Sequence, residues 1–117
     1  MNRTLKYQNQ RKVWWKPGEA MHEPKKLDPL TWKIFCQDGI QILPGNSAMV
    51  ALSFGIEISE GVVLVALVKD LLKLKCSIQN GVVIENTSDI IIILHNYHAS
   101  EALDILPGQE LCLLRYV

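Results

Sequence analysis

Short apolar segments recur along most of this 117-residue chain, and each is closed by residues that favour turns. From residue 31 onward the segments are rich in β-branched residues, and pairs such as Pro44-Gly45, Asn80-Gly81 and Pro107-Gly108 separate them. Short strands at regular spacing are typical of an all-β jelly-roll sandwich or barrel. The sequence therefore predicts one all-β domain over residues 31–117.

Hydrophobic periodicity indicates how these segments pack. Between residues 49 and 59, Val50, Phe54 and Ile56 fall on one face of an alternating strand pattern, which predicts one buried face. Val62–Val68 and Ile90–Leu94 are apolar at every position, so we expect cover on both faces, in a sandwich core or at a subunit interface. Residues 67–75 fit either two helical turns or a strand that leaves the sheet.

The first 30 residues differ from the rest in charge and pattern. They contain three of the five prolines and show no sustained periodicity. Residues 1–33 carry eight Lys/Arg and three Asp/Glu, a net charge of +5, and the remainder carries −5, so the chain total is zero. We therefore predict a basic N-terminal arm over residues 1–30, extended or partly disordered and anchored near Trp14 and Trp15.

Compartment signals favour the inside of a cell. Three widely spaced cysteines without a C-x-x-C pair argue against a disulfide framework or zinc knuckle, so Cys36, Cys76 and Cys112 are interpreted as small core residues. The first dozen residues contain no apolar signal segment. The longest apolar run, Val62–Val68, is far shorter than the ~20 residues needed to span a bilayer, so no membrane association is expected.

The order of turn signals resembles that of the trimeric dUTPase family over residues 42–117. The matching landmarks are Leu43-Pro44-Gly45, Gly55-Ile56-Glu57-Ile58, Asn80-Gly81-Val82-Val83, Ile90–Leu94 with Asn96, and Pro107-Gly108-Gln109. They correspond to turns and apolar positions, which bear on fold more than on activity. The resemblance implies a dUTPase-like jelly-roll barrel and a homotrimer.

The positions that the resemblance matches to the catalytic motifs carry other residue types. Lys33 stands at the acidic position of the first motif, and Lys69-Asp70 stands at the Arg-Ser pair of the second. Ile84 stands at the water-activating Asp of the third, with Glu85 as the nearest carboxylate and no tyrosine nearby. Leu113 stands at the glutamine of the fourth, and no Gly/Ser-rich tail follows it. The resemblance therefore implies that five residues are vestigial nucleotide-site positions: Lys69, Asp70, Ile84, Glu85 and Leu113.

The replacements imply that the scaffold has lost its chemistry. Hydrolysis of dUTP needs a positioned carboxylate and charge stabilisation at the phosphoryl oxygens. We therefore predict no catalysis, no cofactor and no bound metal. His95 and His98 flank a turn, but two histidines without a cysteine pair are a weak metal signal. In kind, the chain resembles the degenerate, non-catalytic adenoviral early-region proteins derived from dUTPase.

The main hypothesis is a viral accessory protein that binds a host or viral protein in the cytoplasm or nucleus of a host cell. The candidate partner-binding residues are Arg11, Lys12, Trp14 and Trp15, because Trp and Arg dominate interface hot spots. Alternatively, both indoles pack the arm onto the sandwich or a neighbouring subunit. Two further alternatives are a nucleic-acid- or virion-associated protein that uses the basic arm, and a residual binder of dUTP.

Overall fold

Secondary structure in the described part of the chain is almost entirely β. The structure, a computed structural model, describes residues 3–6, 12–15, 22–57 and 61–117. Its elements are β1 (Arg3–Lys6), β2 (Lys12–Trp15), β3 (Lys25–Asp28), β4 (Thr31–Phe35), β5 (Ile40–Ile42), β6 (Ser47–Ala51), β7 (Phe54–Glu57), β8 (Val63–Leu67), α1 (Lys69–Lys73), β9 (Cys76–Ile78), β10 (Val82–Val83), β11 (Ile91–Asn96), β12 (Leu103–Ile105) and β13 (Glu110–Tyr116). The predicted all-β fold class is confirmed.

The largest sheet has five antiparallel strands in the order β10-β8-β13-β4-β3. Its central strand, β13, pairs with β8 on one side and β4 on the other. Along β8, Val63, Val65 and Leu67 are buried, whereas the alternate residues Leu64 and Ala66 are exposed. Successive side chains of a strand point to opposite faces, so this sheet has one core face and one open face.

The described residues form three smaller sheets as well, with strand orders β6-β11-β9, β12-β5 and β1-β2-β7. Burial alternates along β11 as well: Ile92 and Leu94 are fully buried, but 45% of Ile91 is exposed. Within the described residues of one chain, Val62–Val68 and Ile90–Leu94 are thus covered on one face only. The expectation of cover on both faces is not met by a single chain, because alternate side chains of β8 and β11 face outward.

The core joins the sheets through large apolar side chains. Trp32 of β4 and Phe54 of β7 pack with ring centroids 5.7 Å apart and planes tilted by 56°. Leu71, Ile92 and Leu114 belong to the same cluster of buried residues. Each large side chain that is fully removed from water stabilises the fold by about 1.5–3 kcal/mol. The cluster also contains Cys36, Cys76 and Cys112, which confirms their interpretation as core residues.

The alternating stretch over residues 49–59 is divided into two strands. Ser53 adopts a positive φ of 54° between β6 and β7, and this breaks the single strand that the pattern suggests. Leu52 N donates to Ile90 O at 2.9 Å, and Ile90 N donates to Phe54 O at 2.8 Å, so the bend is tied to the chain entering β11. Val50 and Phe54 are both buried, as predicted, whereas residues 58–60 lie outside the described residues.

A short helix resolves the ambiguity over residues 67–75. α1 spans Lys69–Lys73 and buries Leu71 completely, while Leu72 stays exposed. Asp70 lies in its first turn and Lys73 in its last, the placement that the helix dipole favours. In the described residues, no helix is long and apolar enough to cross a membrane.

Three strands lie within the predicted N-terminal arm. β3 pairs with β4 as an edge strand of the five-stranded sheet, and β2 pairs with β7. Both pairings cross the predicted boundary at residue 30. Residues 7–11 and 16–21 of the arm lie outside the described residues, so the division of the chain into an arm and a β domain stays a prediction.

Candidate functional site

Lys33 and the five vestigial nucleotide-site positions fall into two separate grooves. Lys33, Lys69-Asp70 and Leu113 line one groove, and Ile84 and Glu85 line another. We call them the Lys33 groove and the Val82 groove. Each has a volume of about 510 Å³. No described residue lines both grooves.

The Lys33 groove lies on the open face of the five-stranded sheet, beside the start of α1. It is lined by Lys33, Glu110, Leu113 and five of the residues 67–72, with Leu71 turned into the core. Leu113 lies directly opposite Lys33 on β4 and opposite Ala66 on β8. Because cross-strand partners share a face of the sheet, the positions matched to the first and fourth motifs become neighbours.

The charges of the Lys33 groove cancel. Lys33 Nζ donates to Glu110 Oε1 at 2.9 Å, and 23% of the lysine and 50% of the glutamate side chain are exposed. Lys69 and Asp70 are both exposed and add one charge of each sign. Among the described lining residues, the four charges therefore sum to zero, beside the aliphatic walls formed by Leu67, Leu72 and Leu113. A groove of this kind does not concentrate a polyanion.

The Val82 groove is formed by residues 82–87, which include β10, and residues 89–91, which lead into β11. Its loop is tied to β7, because Ile56 N donates to Thr87 O at 3.0 Å and Thr87 N donates to Ile56 O at 3.1 Å. Thr87 Oγ1 donates to Asp89 O at 2.9 Å. Glu85 is exposed on this loop, and 66% of Ile84 is exposed.

Asn80 determines where the chain leaves β9 and turns into β10. Its Nδ2 donates to Ile91 O at 2.9 Å, and its Oδ1 accepts from Ile93 N at 2.7 Å. The side chain thus replaces the next backbone pair of the β9–β11 ladder. Gly81 follows because a Cβ there would lie 3.0 Å from Val65 O. Sequence reasoning identified this Asn-Gly turn but missed the side-chain role of Asn80.

The described residues form no dedicated metal-binding cluster. Among them, no group of three or more His, Cys, Asp or Glu residues could hold a metal. The carboxylates of the Lys33 groove are Asp70 and Glu110, and the second is paired with Lys33. Mg²⁺ prefers a near-octahedral set of oxygen ligands, and a carboxylate bound to an ammonium group is a poor member of such a set.

The histidines and cysteines take structural positions. His95 Nδ1 lies 2.9 Å from Ser47 Oγ across the β6–β11 pair, and His98 Nδ1 accepts from the N–H groups of Ser100 and Glu101. Burial raises the pKa of the Cys112 thiol to about 12 and that of the Cys76 thiol to about 11. Thiols that stay protonated at neutral pH are poor nucleophiles.

The predicted partner-binding residues lie at the start of the chain. The backbones of Lys12, Trp14 and Trp15 belong to β2 and pair with Glu57, Gly55 and Phe54 of β7. Arg11 lies outside the described residues. Their role in binding stays a prediction. Glu110, which neutralises Lys33, was missed because the two residues are 77 positions apart and only the strand register brings them together.

No protein-family model matches the chain, and no curated protein matches it in sequence. Solved structures of dUTPases do match its fold. The dUTPase of Staphylococcus bacteriophage 80alpha is 16% identical with a TM-score of 0.76, covering 93% of this chain and 90% of that one. A dUTPase mutant from phage phi11 of S. aureus, described with a structural Mg(II) ion, is also 16% identical. Its TM-score is 0.75, and the match covers 93% of this chain and 90% of that one.

The native EIAV dUTPase is 18% identical with a TM-score of 0.69, covering 82% of this chain and 80% of that one. The TM-scores of these structures show a shared fold, and at identities this low they carry no information about chemistry. The chain has the all-β fold of the dUTPases.

Proposed function

We propose that this protein is a non-catalytic member of the dUTPase fold that acts by binding another protein. The observation that carries the proposal is the Lys33–Glu110 ion pair of 2.9 Å in the Lys33 groove. It neutralises the one lysine that β4 supplies to the groove. An entering triphosphate would have to displace a carboxylate that already holds this ammonium group.

The described lining of the Val82 groove does not supply the other groups that hydrolysis needs. A general base must lie within hydrogen-bond reach of the attacking water, and charge must be stabilised at the phosphoryl oxygens. Glu85 is the exposed carboxylate of the Val82 groove, and the described residues beside it are aliphatic, amide, hydroxyl or acidic. No described residue of that lining carries a positive charge that could offset the charge of a triphosphate.

Protein binding is supported by the fold neighbours and by exposed apolar surface. The phage 80alpha dUTPase is described as controlling the transfer of virulence genes by a proto-oncogenic G protein-like mechanism. On this chain, the outer faces of β8 and β11 expose Leu64 and Ile91, and 73% of Met49 on β6 is exposed. Apolar patches of this kind mark interaction sites. We propose a homotrimer that serves as a viral accessory factor inside a host cell.

A hydrolysis assay tests the loss of activity. Purified protein is incubated with dUTP and Mg²⁺, pyrophosphate release is measured, and the EIAV dUTPase is the positive control. We expect no release above the buffer blank. Turnover within about tenfold of the control would correspond to a barrier difference under ~1.4 kcal/mol and would overturn the proposal.

A binding assay separates lost catalysis from lost recognition. Calorimetric titration with a non-hydrolysable dUTP analogue is expected to give no heat of binding to the wild type. Glu110→Gln removes the carboxylate that neutralises Lys33. Any weak binding of the analogue should therefore be stronger in this variant than in the wild type. A submicromolar Kd for the wild type would support the residual nucleotide binder instead.

A further inference from the structure

Strand β10 forms one edge of the five-stranded sheet, and half of its backbone groups point outward. Val82 lies opposite Leu64, and Val83 lies opposite Val63. Val65 N donates to Gly81 O at 2.7 Å, so Gly81 and Val65 form a hydrogen-bonded pair. Bonded and non-bonded pairs alternate along an antiparallel ladder, so the N–H and C=O of Val82 point away from β8.

This edge is protected only by its short length of two residues. Natural edge strands are also blocked by lysines, prolines or bulges. The opposite edge of the same sheet, β3, has Lys25 and Lys26, both exposed, and a bulge before Asp28. The sequence over residues 81–87 contains no lysine and no proline, and Val82 is 54% exposed. β10 is therefore open to pairing with another strand.

The groove beside β10 indicates what would pair there. Its walls include the exposed aliphatic side chains of Ile84 and Ile91. Its charged residues are Glu85 and Asp89, and no described residue that lines it is basic. An incoming strand with β-branched side chains and lysine or arginine would match both the apolar walls and the negative charge.

We propose that β10 and the Val82 groove bind an extended segment of a partner protein, rich in β-branched and basic residues, which adds to the sheet as a sixth strand. Main-chain hydrogen bonds to Val82 supply affinity, and contacts with Ile84 and Glu85 supply selectivity. The site deepens the proposed function, because it assigns protein binding to one edge of the fold.

A synthetic peptide tests the pairing directly. The probe is a fluorescein-labelled peptide of about seven residues that alternates valine with lysine, a length typical of one strand. Its binding is measured by fluorescence anisotropy. Two further peptides are N-methylated at alternate residues, one at the odd-numbered residues and the other at the even-numbered residues. Each peptide therefore lacks the amide protons along one of its own two edges. We expect one register to bind about tenfold more weakly, which corresponds to the loss of one or two backbone hydrogen bonds.

Protein variants place the peptide on β10. Val82→Lys puts a charge on the open edge and should weaken binding about tenfold, whereas Leu27→Lys on the β3 edge should leave it unchanged. Glu85→Lys should weaken binding at low salt and lose most of that effect at high salt. A peptide in which glutamate replaces lysine should bind the wild type at least as weakly as the valine–lysine peptide binds Glu85→Lys. Circular dichroism checks that each variant is folded.

Three results would overturn the inference. Equal binding of both N-methylated peptides would exclude strand addition, and equal losses in Val82→Lys and Leu27→Lys would exclude β10. A lower molecular mass of Val82→Lys in light scattering would show that β10 joins copies of this chain instead of a partner. Release of pyrophosphate from dUTP would overturn only the proposed function, because the peptide assay contains no nucleotide.

Discussion

The side-chain amide of Asn96 donates a hydrogen bond to the main-chain oxygen of Ile42 at 2.9 Å, across 54 residues of sequence. Asn96 is fully buried at the end of β11, and the same Nδ2 also donates to Glu101 O at 2.9 Å. Its Oδ1 accepts from His98 N at 3.0 Å. One asparagine side chain thus ties β11, β5 and the turn that follows β11 together.

Asn96→Leu should destabilise the fold by about 3 kcal/mol, because it leaves buried carbonyl groups without donors. Urea unfolding followed by circular dichroism measures the change. Gln79→Leu is the matched control: its side chain is exposed, so a change within about 0.5 kcal/mol is expected. Equal midpoints for the two variants would contradict this role of Asn96.

Alkaline pH should destabilise the protein through its buried thiols. Burial raises the pKa of Cys112 from 9.0 to about 12 and that of Cys76 to about 11. The unfolded chain therefore releases these protons first. Below pH 9, each buried thiol makes its full contribution to the free energy of unfolding. As the pH rises from there toward the folded-state pKa, the contribution of each thiol falls by about 1.4 kcal/mol per pH unit.

The measurement compares the wild type with Cys112→Ala at pH 7, 9 and 10. Lysines and tyrosines titrate in both proteins, so the difference between the two profiles isolates one thiol. The free energy of unfolding of the variant should fall less steeply above pH 9. Parallel profiles would contradict the prediction. At pH 8 the native wild type should also react with a thiol reagent only as fast as it unfolds.

Turn chemistry explains why the succession of strands and turns along the chain could be predicted, whereas the pairing register of the strands could not. Pro107-Gly108 forms the turn that its sequence indicates, with Gly108 at a φ of +83°. Ser53, by contrast, takes a positive φ without being glycine, and its bend depends on hydrogen bonds between its neighbours and Ile90. Long-range partners of this kind have no local signal.

In the candidate site, too, some features have a local sequence signal and others depend on long-range strand pairing. The replacements at Lys33 and Leu113 are visible in the sequence, and their positions could be inferred from the resemblance alone. That these two residues lie directly opposite each other depends on the pairing of β4 with β13. The ion pair with Glu110 depends on it as well, since the register near that residue shifts at a bulge. Such contacts appear only when distant strands are assembled.

A homotrimer is expected in solution. Met49 lies opposite Ile93, and Ala51 lies opposite the exposed Ile91, so the outer face of the β6–β11 pair is apolar. A second copy would cover this face. Light scattering at micromolar concentration should give three times the 13.2 kDa mass of one chain.

Met49→Lys should shift that mass toward 13.2 kDa without changing the circular dichroism, because 73% of the Met49 side chain is exposed in one chain. Leu106→Lys, at a side chain that is 65% exposed in a turn, is the matched control and should leave the mass unchanged. A wild-type monomer at this concentration would exclude the trimer.

Removal of residues 1–16 should leave the β core folded. The deletion takes away β1 and β2, yet β7 keeps its pairing with Thr87 through Ile56, and Phe54 keeps its packing against Trp32. We therefore expect an unchanged β signal in circular dichroism. The Val–Lys peptide should also bind with unchanged affinity, because the Val82 groove is lined by residues 82–91.

Binding of a protein partner should respond differently. If the basic arm anchors the partner, the full chain captures it from host-cell extract, and the shortened chain binds the purified partner at least about tenfold more weakly. Replacing Trp14 and Trp15 with alanine should reproduce most of that loss, since indoles at hot spots contribute about 2 kcal/mol or more. Replacing Arg11 and Lys12 with glutamine should mainly reduce the salt dependence. A deletion that unfolds the core, while its remaining folded fraction binds normally, would make the arm structural and leave β10 as the partner surface.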